Sequence, residues 1–425
     1  VNIWNQILRF PSRRRRDITG VVKSLLRIKG EASAIKLAHE VLQRYAEADE
    51  EAKHAFFRFL LDELGPNEKD LSAAVADYHA NPDPVSYLSL LDAIEPQRQD
   101  LIRTLNWAPG GTSALIAMRA DLLQIARYEH DLKLVDHDFL HLLSSWFNRG
   151  FLELRRIDWN TPAFILEKLI RYESVHEIRD WQNLQRRLAS DRRCFAFFHP
   201  QLPDEPLIFV EVALTKGLVS NIEEVLDRSL PTTTAAKAFV PDTAIFYSIN
   251  NCQAGLRGIS FGNFLIKQVA DELAAEIRTL RHYATLSPIR GFRAWLDPIR
   301  ATRSAEWLSS EDYLLLATLD SENWIENKDT SAELKPLMEK LCAHYLVKEK
   351  RDDEPLDPVA RFHLSNGARV ERINWMGDLS AQRLHQSYGM LVNYVYDRRS
   401  VIKNHEDYVG KRRIATSSAI SSALR

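Results

Sequence analysis

The stretch Ala244–Phe292, AIFYSINNCQAGLRGISFGNFLIKQVADELAAEIRTLRHYATLSPIRGF, decides how this chain folds. It opens with an apolar run of strand character, Ala244 to Ile249, and continues through Gly255, Gly258 and Gly262. An amphipathic pattern then predicts a helix over 261–281, after which a short strand ends on Leu286-Ser287-Pro288-Ile289. A strand that passes through a glycine-bearing turn into a helix presents free N–H groups where the helix dipole favours negative charge, which suits a phosphate ester. The glycines open backbone conformations closed to other residues, and Arg257 adds a cation. A plain loop-to-helix junction accounts for the same residues. The pattern is neither G-x-x-x-x-G-K-[ST] nor G-x-G-x-x-G, so a nucleoside triphosphate or a dinucleotide is not favoured.

Upstream the texture is helical. Ile35, Ala38, Val41, Leu42 and Tyr45, then Phe56, Phe57, Leu60, Leu61 and Leu64, recur at three and four residues, with breaks at Gly65-Pro66, Asn81 to Pro84 and Pro109 to Gly111. Residues 1–150 are therefore read as an all-helical domain without catalytic spacing. From 151 to 425 strand-like runs appear at Cys194–Phe198, Leu207–Leu214, Thr243–Ile249, Arg361–Leu364 and Ala368–Trp375, separated by helical patterns that include Ser380–Tyr396. A charged helical insertion at about 293–350 interrupts them, with Trp307, Trp324 and Leu314 to Leu316 as its packing anchors. The fold class is α+β, a helical domain followed by a mixed α/β domain.

A chain of 425 residues with 45% hydrophobic and 27% charged residues is an ordinary globular protein of two domains. A net charge of -2 argues against a general nucleic-acid binder, and Arg13 to Arg16 read as a solvated arm. No apolar run is long enough to span a bilayer. Cys194, Cys252 and Cys342 lack the spacing of a disulfide framework or a zinc site, and neither H-E-x-x-H nor a carboxylate cluster suggests another metal. A reducing, cytoplasmic setting is expected; because the chain starts at Val1, a mitochondrial matrix location after removal of a leader stays open.

Gly258-Ile259-Ser260-Phe261-Gly262 matches the G-x-S-x-G nucleophile elbow, with His363 downstream to complete a triad. The strand ends about ten residues too early for an elbow, so a turn serine at a helix N-terminus is the better reading of Ser260. Ser287 precedes Pro288 at a strand end, where Ser-Pro is also an everyday turn. His363 alternates with Phe362 and Leu364, which on a strand points it away from them, as a proton donor or a structural histidine. Tyr394 and Tyr396 read as the packed end of a helix.

Taken together, several segments resemble the malonyl-CoA decarboxylase family. They are Cys194 to Pro200, Glu205 to Leu207 leading to Val212–Thr215, Ala244–Ile249, Gly255–Gly258, Gly262–Lys267, Leu286–Ile289, Phe362–Leu364, Arg372–Met376 and Asn393–Tyr396, in family order over roughly 150 to 400. The resemblance implies a catalytic half like the fold of the Gcn5-related N-acetyltransferases, with malonyl-CoA held by Arg257, Gly258, Ile259, Ser260, Phe261, Gly262 and Asn263. It places the family's catalytic serine at Ser287 and its histidine at His363, both also meeting the substrate. Tyr396 falls beside them, and His199 matches another histidine linked to activity. Some relatives carry a carboxylate where this chain has Ser260.

The implied reaction turns malonyl-CoA into acetyl-CoA and carbon dioxide through a thioester enolate that His363 protonates, while Ser287 orients the carboxylate. A proton-accepting Ser287 paired with His363 is the other assignment. No metal, biotin or redox cofactor is required, coenzyme A entering only as part of substrate and product. A homo-oligomer, dimer or tetramer, built through the helical half is expected, with no nucleic-acid or membrane partner. The alternatives are a coenzyme A-dependent acyltransferase and, further off, a hydrolase using Ser260.

Overall fold

The computed structural model describes residues 17–227, 239–259, 265–321 and 323–425. They divide into two compact units. One lies within 17–152 and takes in 199–203 and 253–259; the other comprises the remaining described residues.

The first unit is helical: α1 (Ile18–Leu25), α2 (Glu31–Ala46), α3 (Glu50–Asp62), α4 (Glu68–Ala80), α5 (Pro84–Ile94), α6 (Gln97–Asn106), α7 (Gly111–Ile125) and α8 (Lys133–Trp146). The starts follow from capping: Asp49 accepts from the Ala52 N–H, and Asp83 forms a capping box with Ser86 ahead of Pro84. Of the predicted stripe on α2, Ala38, Val41, Leu42 and Tyr45 are buried, and Ile35 is half-buried. Each large apolar side chain so buried contributes about 1.5–3 kcal/mol.

The second unit runs β1 (Glu153–Ile157), α9 (Ala163–Tyr172), α10 (Trp181–Arg187), β2 (Arg192–Phe198), β3 (Ile208–Thr215), α11 (Ile222–Leu226), β4 (Thr243–Asn251), α12 (Leu265–Glu276), β5 (His282–Thr285) and β6 (Ser287–Pro288). It continues with α13 (Phe292–Thr302), α14 (Ser310–Ala317), α15 (Lys328–Val347), β7 (Lys350–Arg351), β8 (Glu354–Pro355) and α16 (Pro358–Ser365). The last elements are β9 (Arg369–Asn374), α17 (Ala381–Ser387), β10 (Leu391–Val395), α18 (Val401–Lys411) and α19 (Ser418–Ala423). The main sheet runs β1-β2-β3-β4-β5-β10, and both β6 and β9 also pair with β10. Every pairing in it is antiparallel except β4 with β5.

That parallel pair positions the site. It joins Thr243↔His282 through Phe246↔Thr285 and then ends, although β4 runs on to Asn251. The α12 connection between these strands makes the parallel crossing feasible, and the strand, glycine-bearing segment and helix follow in the expected order. No helix among the described residues is long and apolar enough to cross a membrane.

Three local expectations are corrected. Arg361–Leu364 is helix, not strand: Asp357 caps α16 by accepting from the Ala360 N–H, and Pro358 occupies its first turn. Ser380–Tyr396 is not one helix, because α17 ends at Tyr388 in the left-handed region and Gly389 follows with φ 78°, after which the chain extends as β10. In the 293–350 segment Trp324 and Leu316 are buried, but Leu314 is 65% exposed and anchors nothing.

A candidate acid–base site on the sheet

Ser287 is placed by two short strands in succession. Thr285 closes β5, and Ser287 and Pro288 then pair with Val392 and Leu391 of β10, so Thr285 and Ser287, two apart, present side chains to the same side. The Ser287 hydroxyl donates to Thr285 Oγ1 at 2.8 Å. Thr285 Oγ1 also accepts the Tyr394 N–H at 3.1 Å, and the Thr285 carbonyl accepts from Asn393 Nδ2 at 2.7 Å. A register shift between Asn393 and Tyr394 lets β10 present both groups to Thr285.

His363 reaches this point from the last turn of α16, which must stop there: Gly367 has φ 82°, and a Cβ on it would lie 2.1 Å from the Val401 carbonyl oxygen. The imidazole stacks on the Tyr394 ring, centroids 4.6 Å apart at 28°. Its Nε2 lies 3.1 Å from Ser287 Oγ and its Nδ1 2.7 Å from the Tyr396 hydroxyl. The structure thus brings together Ser287, His363 and Tyr396, which are 5%, 3% and 8% exposed.

Counting protons orders this chain. A serine has one O–H, and Ser287 gives it to Thr285, so in the Ser287–His363 contact the histidine Nε2–H donates. Nδ1 is then unprotonated and accepts from Tyr396. Burial pushes the His363 imidazolium pKa down to about 3 and raises the Tyr396 phenol well above its ordinary value. Both groups are neutral near pH 7.

Ser287 and His363 line a cavity of about 290 Å³ whose other walls are mainly apolar, among them Ile208, Val210, Phe246, Ile249 and Leu265. The part of β4 beyond its pairing with β5, including Ile249 and Asn251, forms one side. Arg290 is exposed and lines the cavity as its cation. A buried polar layer holds the neighbouring backbone: Glu173 accepts from the Val175 and His176 N–H groups and from Ser248 Oγ, each at 2.7 Å, and Asn250 Nδ2 donates to it at 3.0 Å.

Other residues singled out by sequence belong to the helical unit or fall outside the described residues. His199 belongs to the helical unit, where Nε2 meets the Trp146 carbonyl at 3.1 Å and Nδ1 accepts the Gln201 N–H at 3.2 Å. Its ring packs on Phe147, 4.6 Å between centroids. Arg257, Gly258 and Ile259 are also in that unit. Gly258 has φ 85°, as a glycine turn requires, and a Cβ on Gly255 would lie 1.9 Å from the Ile116 carbonyl oxygen, so close packing on α7 accounts for that glycine. The Gly255 carbonyl accepts from Arg119. Ser260, Phe261, Gly262 and Asn263 lie outside the described residues. No motif marks Thr285 or Arg290, and Tyr394, expected only as helix packing, stands on β10 against the His363 ring. Thr285 was findable, since T-x-S on a strand puts both hydroxyls on one face.

The malonyl-CoA decarboxylase C-terminal domain matches residues 150–425, and the family's N-terminal domain matches 64–147. The mitochondrial malonyl-CoA decarboxylase of Anser anser anser is 35% identical over 353 residues, 77% of this chain and 69% of that protein. The crystal structure of malonyl-CoA decarboxylase from Rhodopseudomonas palustris superposes with a TM-score of 0.90 at 46% identity, covering 95% of this chain and 98% of that one. For the Agrobacterium vitis enzyme the TM-score is 0.91 at 46% identity, covering 96% and 100%. The chain belongs to the malonyl-CoA decarboxylase family.

Proposed function

We propose that the protein is a carboxy-lyase that converts malonyl-CoA to acetyl-CoA and carbon dioxide, and that the Ser287–His363 corner is where the carbon–carbon bond breaks and the new carbon–hydrogen bond forms. The observation that carries the reading is a hydrogen-bonded serine and neutral histidine facing one largely apolar cavity. Loss of carbon dioxide leaves an electron pair that the thioester takes up as an enolate. An apolar wall does little to stabilise the starting carboxylate, and N–H groups of β4 beyond Phe246 are suited to the developing oxyanion.

Ser287 orients the malonyl carboxylate by turning its O–H from Thr285 to the substrate. His363 then gives its Nε2 proton to the enolate carbon. Tyr396, donating to Nδ1, keeps the imidazole in the tautomer that carries this proton. The scheme needs no metal or redox cofactor, since the thioester is the electron sink. In this reading the segment 257–263 grips the coenzyme A diphosphate, and His199 supports the fold around Trp146.

The expected homo-oligomer has its support in α4 and α5, which pack on each other yet expose Val75, Val85, Leu88 and Leu91. A compartment without oxidant suits the three buried free cysteines. Purified protein incubated with malonyl-CoA should release carbon dioxide and acetyl-CoA in equal amounts. Inert malonyl-CoA, or hydrolysis to malonate and free coenzyme A, would contradict the assignment.

A further inference from the structure

A second cavity, about 200 Å³, lies behind the catalytic corner. Ile266 lines both cavities. His363 faces the first and Tyr396 the second, so their 2.7 Å hydrogen bond bridges the two. The second cavity is polar at its rim: Lys267, Asp271 and Arg398 line it and are exposed, Arg398 pairing with Asp271 at 3.2 Å. Deeper in lies Tyr283, a neighbour of Tyr396 through the Tyr396 N–H to Tyr283 carbonyl bond at 2.8 Å. Tyr283 is 2% exposed, and its hydroxyl has no protein partner among the described residues. A buried hydroxyl is ordinarily hydrogen-bonded, and in a cavity with a charged rim its natural partner is water.

The reaction raises a question of proton supply. Decarboxylation consumes one proton per turnover, and His363 holds a single proton, on the nitrogen that faces the substrate. Giving it up without taking another would leave an imidazolate in a buried site, which is costly. Its other nitrogen already accepts from Tyr396.

We propose that the product's new proton enters from the second cavity through Tyr396 and His363, with Tyr396 as a relay residue acting through the histidine. This rests on the decarboxylase reading and deepens it. The bond between the carboxylate carbon and its neighbour breaks, and its electron pair becomes the thioester enolate. The enolate carbon bonds the proton from His363 Nε2, whose N–H pair stays on the ring. Nδ1 takes the Tyr396 hydroxyl proton in the same motion, and the phenolate oxygen takes one from water in the second cavity, releasing hydroxide. Malonyl thioester carboxylate and water thus become acetyl thioester, carbon dioxide and hydroxide, and the imidazole, left protonated on Nδ1, regains its Nε2–H tautomer by proton exchange with water once the product has left. Because burial opposes a free phenolate, transfer through Tyr396 is coupled to that uptake.

The test uses the full chain with malonyl-CoA in an equal mixture of H2O and D2O. It measures kcat, KM and the deuterium fraction of the acetyl-CoA methyl group, which reports the protonation step whether or not that step limits the rate. Tyr396→Phe, which keeps the ring, should lower kcat about 10- to 100-fold with KM nearly unchanged, and should shift the deuterium fraction because proton transfer from His363 to the carbon is then no longer coupled to transfer from Tyr396. Ile402→Trp, at a 58% exposed position lining only the second cavity of the two, should lower kcat in the same sense and leave KM alone. Slower turnover in Tyr396→Phe with an unchanged deuterium fraction would reduce Tyr396 to a structural role and overturn the relay. So would wild-type kcat in both variants. Failure of the unaltered protein to release carbon dioxide would instead sink the decarboxylase reading and the relay together.

Discussion

His363 and His199 are two buried histidines in two parts of the molecule, 3% and 6% exposed, and burial alone cannot tell their roles apart. Their partners can. Both ring nitrogens of His199 hold backbone groups, the Trp146 carbonyl and the Gln201 N–H, and its ring fills space beside Phe147. Such an imidazole fixes a turn. The nitrogens of His363 meet two hydroxyls, each able to donate or accept, and the residue lines a cavity. Backbone partners lock a proton in place, whereas hydroxyl partners on both sides let it move. The resemblance that singled out both residues carries no such distinction.

The largest expected effect lies at His363. His363→Asn should lower decarboxylation by about 10²- to 10⁴-fold, the range for losing a positioned proton donor, while coenzyme A still binds. Near-normal kcat in this variant would remove the histidine from the chemistry.

A smaller effect follows from its burial. In the unfolded chain a histidine takes up a proton below about pH 6.5, but native His363 resists until about pH 3. The unfolded state therefore binds more protons as pH falls through this window, and native stability drops. The contribution is up to about 1.4 kcal/mol per pH unit for the one group. Urea midpoints measured from pH 7 to pH 4.5 should fall more steeply for the unaltered protein than for His363→Asn. Parallel curves would mean that His363 is not held neutral.

The smallest effect on turnover belongs to His199. His199→Leu leaves two backbone groups without partners and should cost about 1–3 kcal/mol of stability, read by thermal or urea unfolding. Activity per folded molecule should stay within roughly two-fold of normal. A large loss of kcat at unchanged stability would instead bring His199 into the reaction and erase the contrast.

Much of this arrangement is legible in the residues, and the failures have physical causes. The buried strands β2, β3 and β4 announce themselves as apolar runs, whereas β1, Glu-Leu-Arg-Arg-Ile, is an edge strand with an exposed side and carries no such run. His363 sits in a short run whose alternation imitates a strand, yet Asp357-Pro358 before it and Asn366-Gly367 after it are helix start and stop signals that outweigh four residues of pattern. Gly389 likewise marks the break that turns Tyr394 and Tyr396 from helix neighbours into strand neighbours sharing one side, one stacking on His363 and one bonding it. The meeting of Ser287 with His363, 76 residues apart, depends on β6 and α16 converging beside β10, and no local pattern contains it.

In the proposed function Ser287 and His363 act as one unit on malonyl-CoA. The most direct test is a double-mutant cycle on carbon dioxide release, comparing Ser287→Ala, His363→Asn and the two combined, each checked for coenzyme A binding. If the residues work through their shared hydrogen bond, the double variant will be about as slow as His363→Asn alone. Losses that multiply, so that the double variant is slower by the product of the two single effects, would mean that serine and histidine act independently and would contradict the account.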